Sequence, residues 1–223
     1  MNPAAVHARD FAATELFGGC AEEMLARLQS MSRARSLKRH QILFAQGDPV
    51  DSLVIVRSGR LKVFSTSSNG DELLLAIADS GETLGEVAVF DAGERSATVE
   101  AMEPSEVVLV PRQEVIAALK ADPALSHRLQ VRIAAVARRL TTASTDLAYV
   151  DLPRRLAKVL ISQTTTGAPG RGLSQSDFAS LVGGSRQAVN AAFAGFERRG
   201  WITREGGRVV SLDQDALRRF ADS

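Results

Sequence analysis

The sequence predicts an α+β fold: an antiparallel β-sandwich or jelly roll, then one long helix, then a small unit of short helices and a hairpin. Turn signals separate β-rich runs about every 10–12 residues over residues 35–111. Apolar residues then repeat in heptads up to residue 150, and capped short helices follow. We therefore expect two domains, at residues 1–150 and 151–223.

The β-rich region is divided by four turn signals. They are Gly47-Asp48-Pro49, Ser58-Gly59, Asn69-Gly70 and Ser80-Gly81. The Asn-Gly pair between LKVFSTSS and ELLLAIA is a strong hairpin signal, because both residue types tolerate the positive φ angles of a two-residue turn. Regular turn spacing is typical of an antiparallel sandwich or barrel, and SEVVLVPR is expected to be its last strand.

A long helix is predicted from about residue 122 to residue 150. Asp122 supplies a cap and Pro123 a first-turn proline. The helix should end within AYVDLPRR, where Asp151 caps the next helix. Its apolar positions form a heptad stripe, made of Leu129, Ile133, Val136, Leu140, Ala143, Leu147 and Val150. So narrow a stripe predicts a parallel homodimer seam, with packing onto the chain's own sandwich as the alternative.

The remainder of the chain has the pattern of a winged helix-turn-helix. Ser174 and Asp177 form a capping pair that begins a short helix, Gly183-Gly184 ends that helix, and Ser185 caps a second one. GWITREGGRVVSL then predicts a hairpin wing around its Gly-Gly pair. A helix PRRLAKVLISQ and a loop TTTGAPGRG are predicted before this pattern.

The second of these short helices carries side chains that can read DNA bases. An arginine can bond guanine O6 and N7, and glutamine or asparagine can bond adenine in the same bidentate way. The candidate base readers are Arg186, Gln187 and Asn190, and the candidate phosphate contacts are Ser174, Ser176 and Ser185. The alternative is that these polar residues form an ordinary solvated helix face.

Charge and composition limit the possible partners and location. From residue 152 onward the net charge is +5, whereas the remainder of the chain carries −4. This asymmetry indicates a polyanion partner such as double-stranded DNA, with ordinary charge scatter as the alternative. Cys20 is the only cysteine, which excludes an internal disulfide and a thiolate-held iron–sulfur cluster. Without a signal peptide pattern or an apolar run of about 20 residues, we expect a cytoplasmic protein with no membrane contact.

In this order, the predicted elements resemble the bacterial cyclic-AMP receptor/fumarate–nitrate regulator (CRP/FNR) family over about residues 17–210. The most specific segments are FAQGDPVDSLVIVRSGRLKVF, LGEVAVF with ERSATVEA, LAYVD and LVGGSRQAVN. The resemblance implies a transcription regulator, not an enzyme, with a sandwich of the cyclic-nucleotide-binding type and a long dimerisation helix. It also implies RNA polymerase as a partner, and a near-palindromic operator with half-sites about 34 Å apart.

Residues 84–101 resemble the phosphate-binding cassette of cyclic-nucleotide domains. The resemblance implies that Glu86 accepts from the ribose 2′-hydroxyl, while Arg95 pairs with the cyclic phosphate, whose two free oxygens suit a guanidinium. The ligand residues so assigned are Gly85, Glu86, Val87, Ala88, Arg95 and Ser96, with Thr141 and Thr142 of the long helix. The expected effector is a cyclic nucleotide, with cAMP preferred to cGMP. No metal cofactor is expected. The alternative is a Glu86–Arg95 salt bridge that closes an empty loop.

Two departures from the family pattern bear on specificity. The Thr-Ser pair that meets adenine in the cyclic-AMP receptor falls on Leu140 and Thr141, so the base stays open, with Thr142 as a substitute if the register shifts. In the second short helix, Arg186 is retained, but the family's Glu and second Arg are Gln187 and Ala191. Each altered base pair should change operator affinity by roughly 1–3 kcal/mol.

Three other functions were weighed. A cupin-type metal enzyme needs clustered ligands, whereas His7, His40 and His127 lie in separate regions of the chain. Haem sensing would depend on His127 at the start of the long helix. The nearest alternative is a dimeric DNA-binding regulator whose sandwich no longer binds a nucleotide.

Overall fold

The computed structural model describes residues 5–91, 93–164 and 173–222. The chain forms two compact units, Met1–Ala137 and Arg138–Ser223, which divide inside the long helix. The domain boundary predicted after Val150 stays a prediction.

The first unit is a β-sandwich with helices before, within and after it. Its elements are α1 (Ala8–Ala12), α2 (Glu22–Met31), β1 (Arg33–Leu37), β2 (Ile42–Phe44), β3 (Ser52–Ser58), β4 (Leu61–Thr66), β5 (Glu72–Ala78), β6 (Thr83–Leu84), α3 (Glu86–Asp91), β7 (Thr98–Ala101), β8 (Ser105–Pro111), α4 (Arg112–Ala121) and the first part of α5 (Pro123–Tyr149). Two four-stranded antiparallel sheets form, in the orders β1-β8-β3-β6 and β2-β7-β4-β5. This confirms the predicted sandwich.

The strongest local turn signal gives the expected hairpin. Strands β4 and β5 pair from Leu61–Ala78 to Thr66–Glu72, so that Asn69-Gly70 lies in the turn. Gly70 has a φ of +85°, a value that glycine adopts without the steric cost of a side chain. The predicted last strand is β8, which lies between β1 and β3.

The helices α1, α2 and α4 were not predicted, and they supply six of the fifteen buried residues of one core cluster. Phe11 and Phe17 meet edge to face at 5.6 Å and join a fully buried cluster with residues of β3, β8 and α5. Asp10 of α1 pairs with Arg57 of β3, which ties the first helix to the sheet. Their sequences are short and rich in charge, so burial against the sheet, and not propensity, stabilises these helices.

The start of α5 confirms the predicted cap. Asp122 accepts from the Ala124 and Leu125 N–H groups at 2.8 and 3.2 Å. These bonds, the one from Leu125 first, hold the pKa of the Asp122 carboxyl below its ordinary value. The helix ends at Tyr149, within the predicted segment.

The apolar stripe of α5 serves two purposes. Leu129 is fully buried in the core of its own unit and Ile133 packs against that core, so their assignment to a dimer seam is wrong. Further along, Leu140 and Leu147 are 45% and 41% exposed. The alternative of packing on the sandwich therefore holds for the first part of the stripe only.

The second unit is a winged helix-turn-helix, as predicted. It contains the end of α5, α6 (Leu152–Thr164), α7 (Gln175–Val182), α8 (Arg186–Arg198), β9 (Ile202–Glu205), β10 (Arg208–Leu212) and α9 (Gln214–Ala221). Most of the predicted loop TTTGAPGRG lies outside the described residues. Helix α9 was not predicted; Asp213 caps it at the Ala216 N–H. No described helix is long and apolar enough to span a membrane.

Candidate ligand pocket and DNA-reading surface

The loop between β6 and α3 brings the backbone against Arg95. Gly85 has a φ of +89°, and a Cβ atom at this position would lie 2.6 Å from Arg95 Nη1. Glycine is therefore required here both for the backbone angle and for the close approach. The next residue begins the short helix α3, which contains Glu86, Val87 and Ala88.

Arg95 is buried with part of its guanidinium unused. The residue is only 4% exposed. Its Nη2 donates to the Ser52 carbonyl at 2.8 Å and lies 3.5 Å from Asp51 Oδ1. Its Nε and Nη1 have no partner among the described residues, although both atoms are buried. Because an unsatisfied buried donor costs about 1–3 kcal/mol, this arrangement suits an acceptor supplied from outside the chain.

An aromatic ring fixes the plane of this guanidinium. The Cζ atom of Arg95 lies 4.0 Å from the centroid of the Phe44 ring, at the end of β2. Burial lowers the pKa of Arg95 from its ordinary value, and the carboxylates of Asp51 and Asp48 oppose that shift. Arginine stays protonated even so, so the site keeps one positive charge.

A cavity of about 600 Å³ opens beside Arg95. It is lined by Gln46, Gly47, Thr66, Glu94, Arg95, Ser96 and Thr98. This volume lies within the usual range of small-molecule sites. Ser96 is exposed and borders the cavity. Gly85, Glu86 and Val87 are not among the lining residues, and Val87 is 45% exposed on α3.

Glu86 is buried and paired, but not with Arg95. Its Oε1 accepts from Thr83 Oγ1 at 2.6 Å and from Arg132 Nε and Nη2 at 3.2 and 3.0 Å. The alternative of a Glu86–Arg95 salt bridge is therefore wrong. All three donors reach Oε1, and no described residue donates to Oε2. One oxygen of this carboxylate is left for a hydroxyl.

Sequence reasoning missed Arg132, Phe44 and Ser52. Arg132 lies on α5 beside the apolar stripe. This position off the stripe was the only feature of the sequence that indicated a contact between its side chain and another element. It also pairs with the exposed Glu15 at 3.3 Å. Phe44 and Ser52 lie in strands far from the cassette in sequence, so only the paired sheets bring them to Arg95.

Thr141 and Thr142 are exposed on the part of α5 that belongs to the second unit. Their contact with a ligand stays a prediction. Each lies beyond Ala137, where the first unit ends.

We expect Gly85→Ala to weaken both the fold and the pocket. An L-residue at this φ should cost about 1–3 kcal/mol of unfolding free energy, and the new methyl group should displace Arg95 Nη1. Affinity for the cyclic nucleotide that the sequence resemblance implies should fall at least tenfold, as roughly 1.4 kcal/mol implies. Denaturation and calorimetry measure the two effects.

The matched control is Gly70→Ala, which has a similar φ of +85° but no atom within 4 Å of the added Cβ. It should lose stability without losing ligand affinity. Equal ligand affinity for the two variants would contradict the placement of Gly85 in the pocket.

We expect Arg132→Met to destabilise the first unit by about 1–3 kcal/mol, because it leaves the buried Glu86 carboxylate without its cation. Urea unfolding measures the change, and Arg138→Met, at an exposed position on the same helix, is the control. In the double variant with Glu86→Gln the loss should be smaller than the sum of the single losses. Strict additivity would show that the pair has no energetic coupling.

The DNA-reading surface is built by local capping. Ser174 and Asp177 form the predicted capping box, Gly183 ends α7 with a left-handed φ of +59°, and Ser185 accepts from the Ala188 N–H at 3.1 Å. The predicted helix-turn-helix is thereby confirmed in detail. Four residues of α8 are buried against the unit's core: Val189, Ala192, Phe193 and Phe196.

With that face buried, the polar face of α8 is turned outward. Arg186 and Gln187 are exposed and Asn190 is half-buried, one turn further along the same face. The wing hairpin β9–β10 turns at Gly206-Gly207, as predicted. Arg204 of the wing pairs with Glu197 of α8 at 2.7 Å, which fixes the hairpin against the helix.

The three predicted phosphate contacts differ in what their hydroxyl groups already do. Ser174 Oγ lies 2.7 Å from the Asp177 carboxylate, so its proton is used within the cap. Ser185 Oγ only accepts from Ala188, which leaves its proton for another acceptor. Ser176 lies half-buried in the first turn of α7. Ser185 is thus the best placed of the three for a phosphate oxygen.

Metal-ligating side chains do not cluster in the described part of the chain. No group of three or more His, Cys, Asp and Glu side chains there could hold a metal ion. His40 contacts Glu100 at 3.0 Å on the sandwich surface.

Comparison with protein families gives one match for each half of the chain. The model described as a cyclic nucleotide-binding domain matches residues 34–122. The model described as a Crp-like helix-turn-helix domain matches residues 154–220. Fold and sites thus define a DNA-binding transcription regulator, not an enzyme, with a cyclic-nucleotide-binding domain.

Similarity over the whole chain identifies the family. The CRP-like cAMP-activated global transcriptional regulator of Mycobacterium tuberculosis is 31% identical over 214 residues, which cover 92% of this chain and 96% of the relative. The cyclic AMP receptor protein of Thermus thermophilus is 31% identical over 206 residues, covering 91% and 94%. The chain belongs to the CRP/FNR family.

Solved structures agree on the fold. FixK2 from Bradyrhizobium japonicum has a TM-score of 0.76 at 18% identity, covering 84% of this chain and 96% of that one. The c-di-GMP-responsive regulator CLP of Xanthomonas campestris has a TM-score of 0.75 at 21% identity, covering 86% and 100%.

Proposed function

We propose that this regulator responds to a cyclic nucleotide and binds a near-palindromic operator as a homodimer. The observation that carries the proposal is the buried Arg95, whose Nε and Nη1 have no partner among the described residues. A cyclic phosphate has two free oxygens and one negative charge, and Arg95 offers one positive charge together with N–H donors that lack a partner among the described residues. Ser96 supplies a hydroxyl at the same cavity.

The second support is Glu86. A carboxylate near an anion is unfavourable unless it has another task, and Oε2 is available to accept from a ribose 2′-hydroxyl. Arg132 already balances the charge of this carboxylate at 3.0 Å. Nucleotide and α5 would then share one carboxylate, so that the ligand acts directly on a residue of the long helix.

We propose cAMP, in preference to cGMP, as the effector. The two relatives that are 31% identical are named for cAMP. Thr141 and Thr142, both exposed on α5, remain our candidates for contact with the base.

The homodimer is supported by the uncovered part of the α5 stripe. Leu140 and Leu147 are large apolar residues at heptad positions, yet more than two fifths of each is exposed. A second copy of α5 would bury them in a coiled-coil seam. The dimer would present two copies of α8 to DNA, with RNA polymerase as a further partner, and a ligand would favour the state to which it binds more tightly.

One observation favours a second function, that of a regulator which needs no ligand. Ser52 already accepts from Arg95, and Arg132 already neutralises Glu86, so both charged side chains have partners without a nucleotide. Such a protein would bind its operator equally well with and without nucleotide.

Titration with cAMP and with cGMP separates the two functions. A ligand at 100 times its dissociation constant should raise the unfolding free energy by about 2.7 kcal/mol, visible as a higher Tm. Operator affinity is then measured with and without the nucleotide that binds, on DNA selected from a random pool. Unchanged Tm and unchanged DNA affinity would refute the cyclic-nucleotide response and leave the second function.

A further inference from the structure

In the described part of the chain, the cavity beside Arg95 is lined by one cation and one carboxylate, and two further carboxylates lie close to that cation. Of the described residues that line it, Arg95 is the one cation and Glu94 the one anion. Asp51 adds a second carboxylate, with Oδ1 3.5 Å from Arg95 Nη2. Asp48 is a third, close enough to act on the charge of Arg95. The only other cation recorded at Asp51 within the described chain is Arg33, which lies 3.8 Å away and is itself 75% exposed.

The backbone fixes these groups in place. Gly47 N–H donates to the Arg95 carbonyl at 2.9 Å, and Arg95 N–H donates to the Asp48 carbonyl at 2.8 Å. The Glu94 carboxylate extends over this turn, 3.9 Å from where a Cβ of Gly47 would lie. The backbone therefore holds the turn that carries Glu94 and Arg95, so that Glu94 lines the cavity and Asp51 lies beside Arg95.

Charge decides which phosphates such a cavity accepts. A cyclic phosphodiester carries one negative charge, which Arg95 neutralises. A phosphomonoester carries about −1.5 to −2 at neutral pH, so part of its charge faces the carboxylates uncompensated. At about 6 Å, in partly screened surroundings, each such repulsion weakens binding roughly 3- to 10-fold.

We propose that Asp51 and Glu94 make this cavity selective for singly charged phosphodiesters and exclude doubly charged phosphates of the same nucleoside. The inference rests on the proposed cyclic-nucleotide function. It assigns a task to two acidic residues that the sequence pattern did not single out.

The test compares cAMP with 5′-AMP, by calorimetry at pH 7.5 and low ionic strength. The quantity is the ratio of the two dissociation constants. In Asp51→Asn and in Glu94→Gln, the dissociation constant of 5′-AMP divided by that of cAMP should fall about threefold or more. In the double variant this ratio should fall about tenfold. A structural disturbance of the cavity would weaken both nucleotides together and leave the ratio unchanged.

The control is Glu22→Gln, an exposed carboxylate on α2, which should not alter the ratio. If cAMP binds but the double variant keeps the wild-type ratio, or still shows no detectable 5′-AMP binding, the selectivity inference is overturned. If cAMP and cGMP fail to bind the wild type, the proposed function itself has failed and the inference falls with it. The selectivity inference is supported if the double variant has a lower ratio than the wild type at low salt, and this ratio returns toward the wild-type value in high salt.

Discussion

Arg95→Met should reduce cyclic-nucleotide affinity at least a hundredfold. The guanidinium has two free donors for the phosphate, and hydrogen bonds to a charged group contribute about 1.5–3 kcal/mol each. Loss of both corresponds to about 3–6 kcal/mol. Isothermal calorimetry with cAMP measures the change. Arg95→Lys, which keeps the charge but not the fork, should lie between the wild type and Arg95→Met.

The same substitution should not unfold the protein. Nε and Nη1 of Arg95 are buried without partners among the described residues, so the ligand-free wild type already carries their desolvation cost. Replacement of a buried cation by an apolar side chain of similar length is often neutral or stabilising. We expect the ligand-free unfolding free energy of Arg95→Met to stay within about 1 kcal/mol of the wild type or to exceed it.

Arg39→Met, at an exposed position between β1 and β2, is the matched control, and it should change neither property. Wild-type affinity in Arg95→Met would exclude Arg95 from the ligand site. Collapse of the ligand-free fold would instead give this arginine a structural role.

Arg186→Ala should remove specific DNA binding while nucleotide affinity stays at the wild-type value. A bidentate contact to guanine contributes about 1–3 kcal/mol of discrimination, and the proposed homodimer would make this contact twice, so we expect a loss of about 2–6 kcal/mol. Fluorescence anisotropy on the selected operator and on a scrambled duplex measures specificity. Affinity for the scrambled duplex should change little, because phosphate contacts supply most of that binding.

The control is Arg218→Ala, which removes an exposed arginine from α9 and should leave specificity intact. The dependence of operator affinity on salt should also keep nearly the same slope in Arg186→Ala, since base contacts release few counterions. An equal loss on both duplexes would show that Arg186 contacts backbone phosphate only.

The features that sequence predicted best are those held together by neighbours in the chain. Asn69-Gly70, Asp122 and Ser185 act through backbone groups within about three residues of themselves. Such contacts are nearly independent of the rest of the fold. For the same reason the positions of α7, α8 and the wing could be predicted from caps and glycines alone.

The candidate site was predicted in part. Gly85, Glu86, Arg95 and Ser96 follow from the family resemblance of one segment, and the structure surrounds Arg95 with Phe44 and Ser52 from other strands. The pairing of Glu86 with Arg132 was not predicted, because the two residues are far apart in the sequence. Arg132 is 46 residues away along the chain and 3.0 Å away in the fold.

The sequence by itself determined the order of the elements, their caps and turns, the apolar stripe of α5 and the outward residues of α8, since each depends on local periodicity and backbone chemistry. Only the tertiary structure decided that Leu129 is core, that Arg132 holds Glu86, and that Arg95 keeps two free donors beside carboxylates. Those outcomes depend on contacts between distant segments, whose burial and pairing are defined only once the sheets and helices have packed.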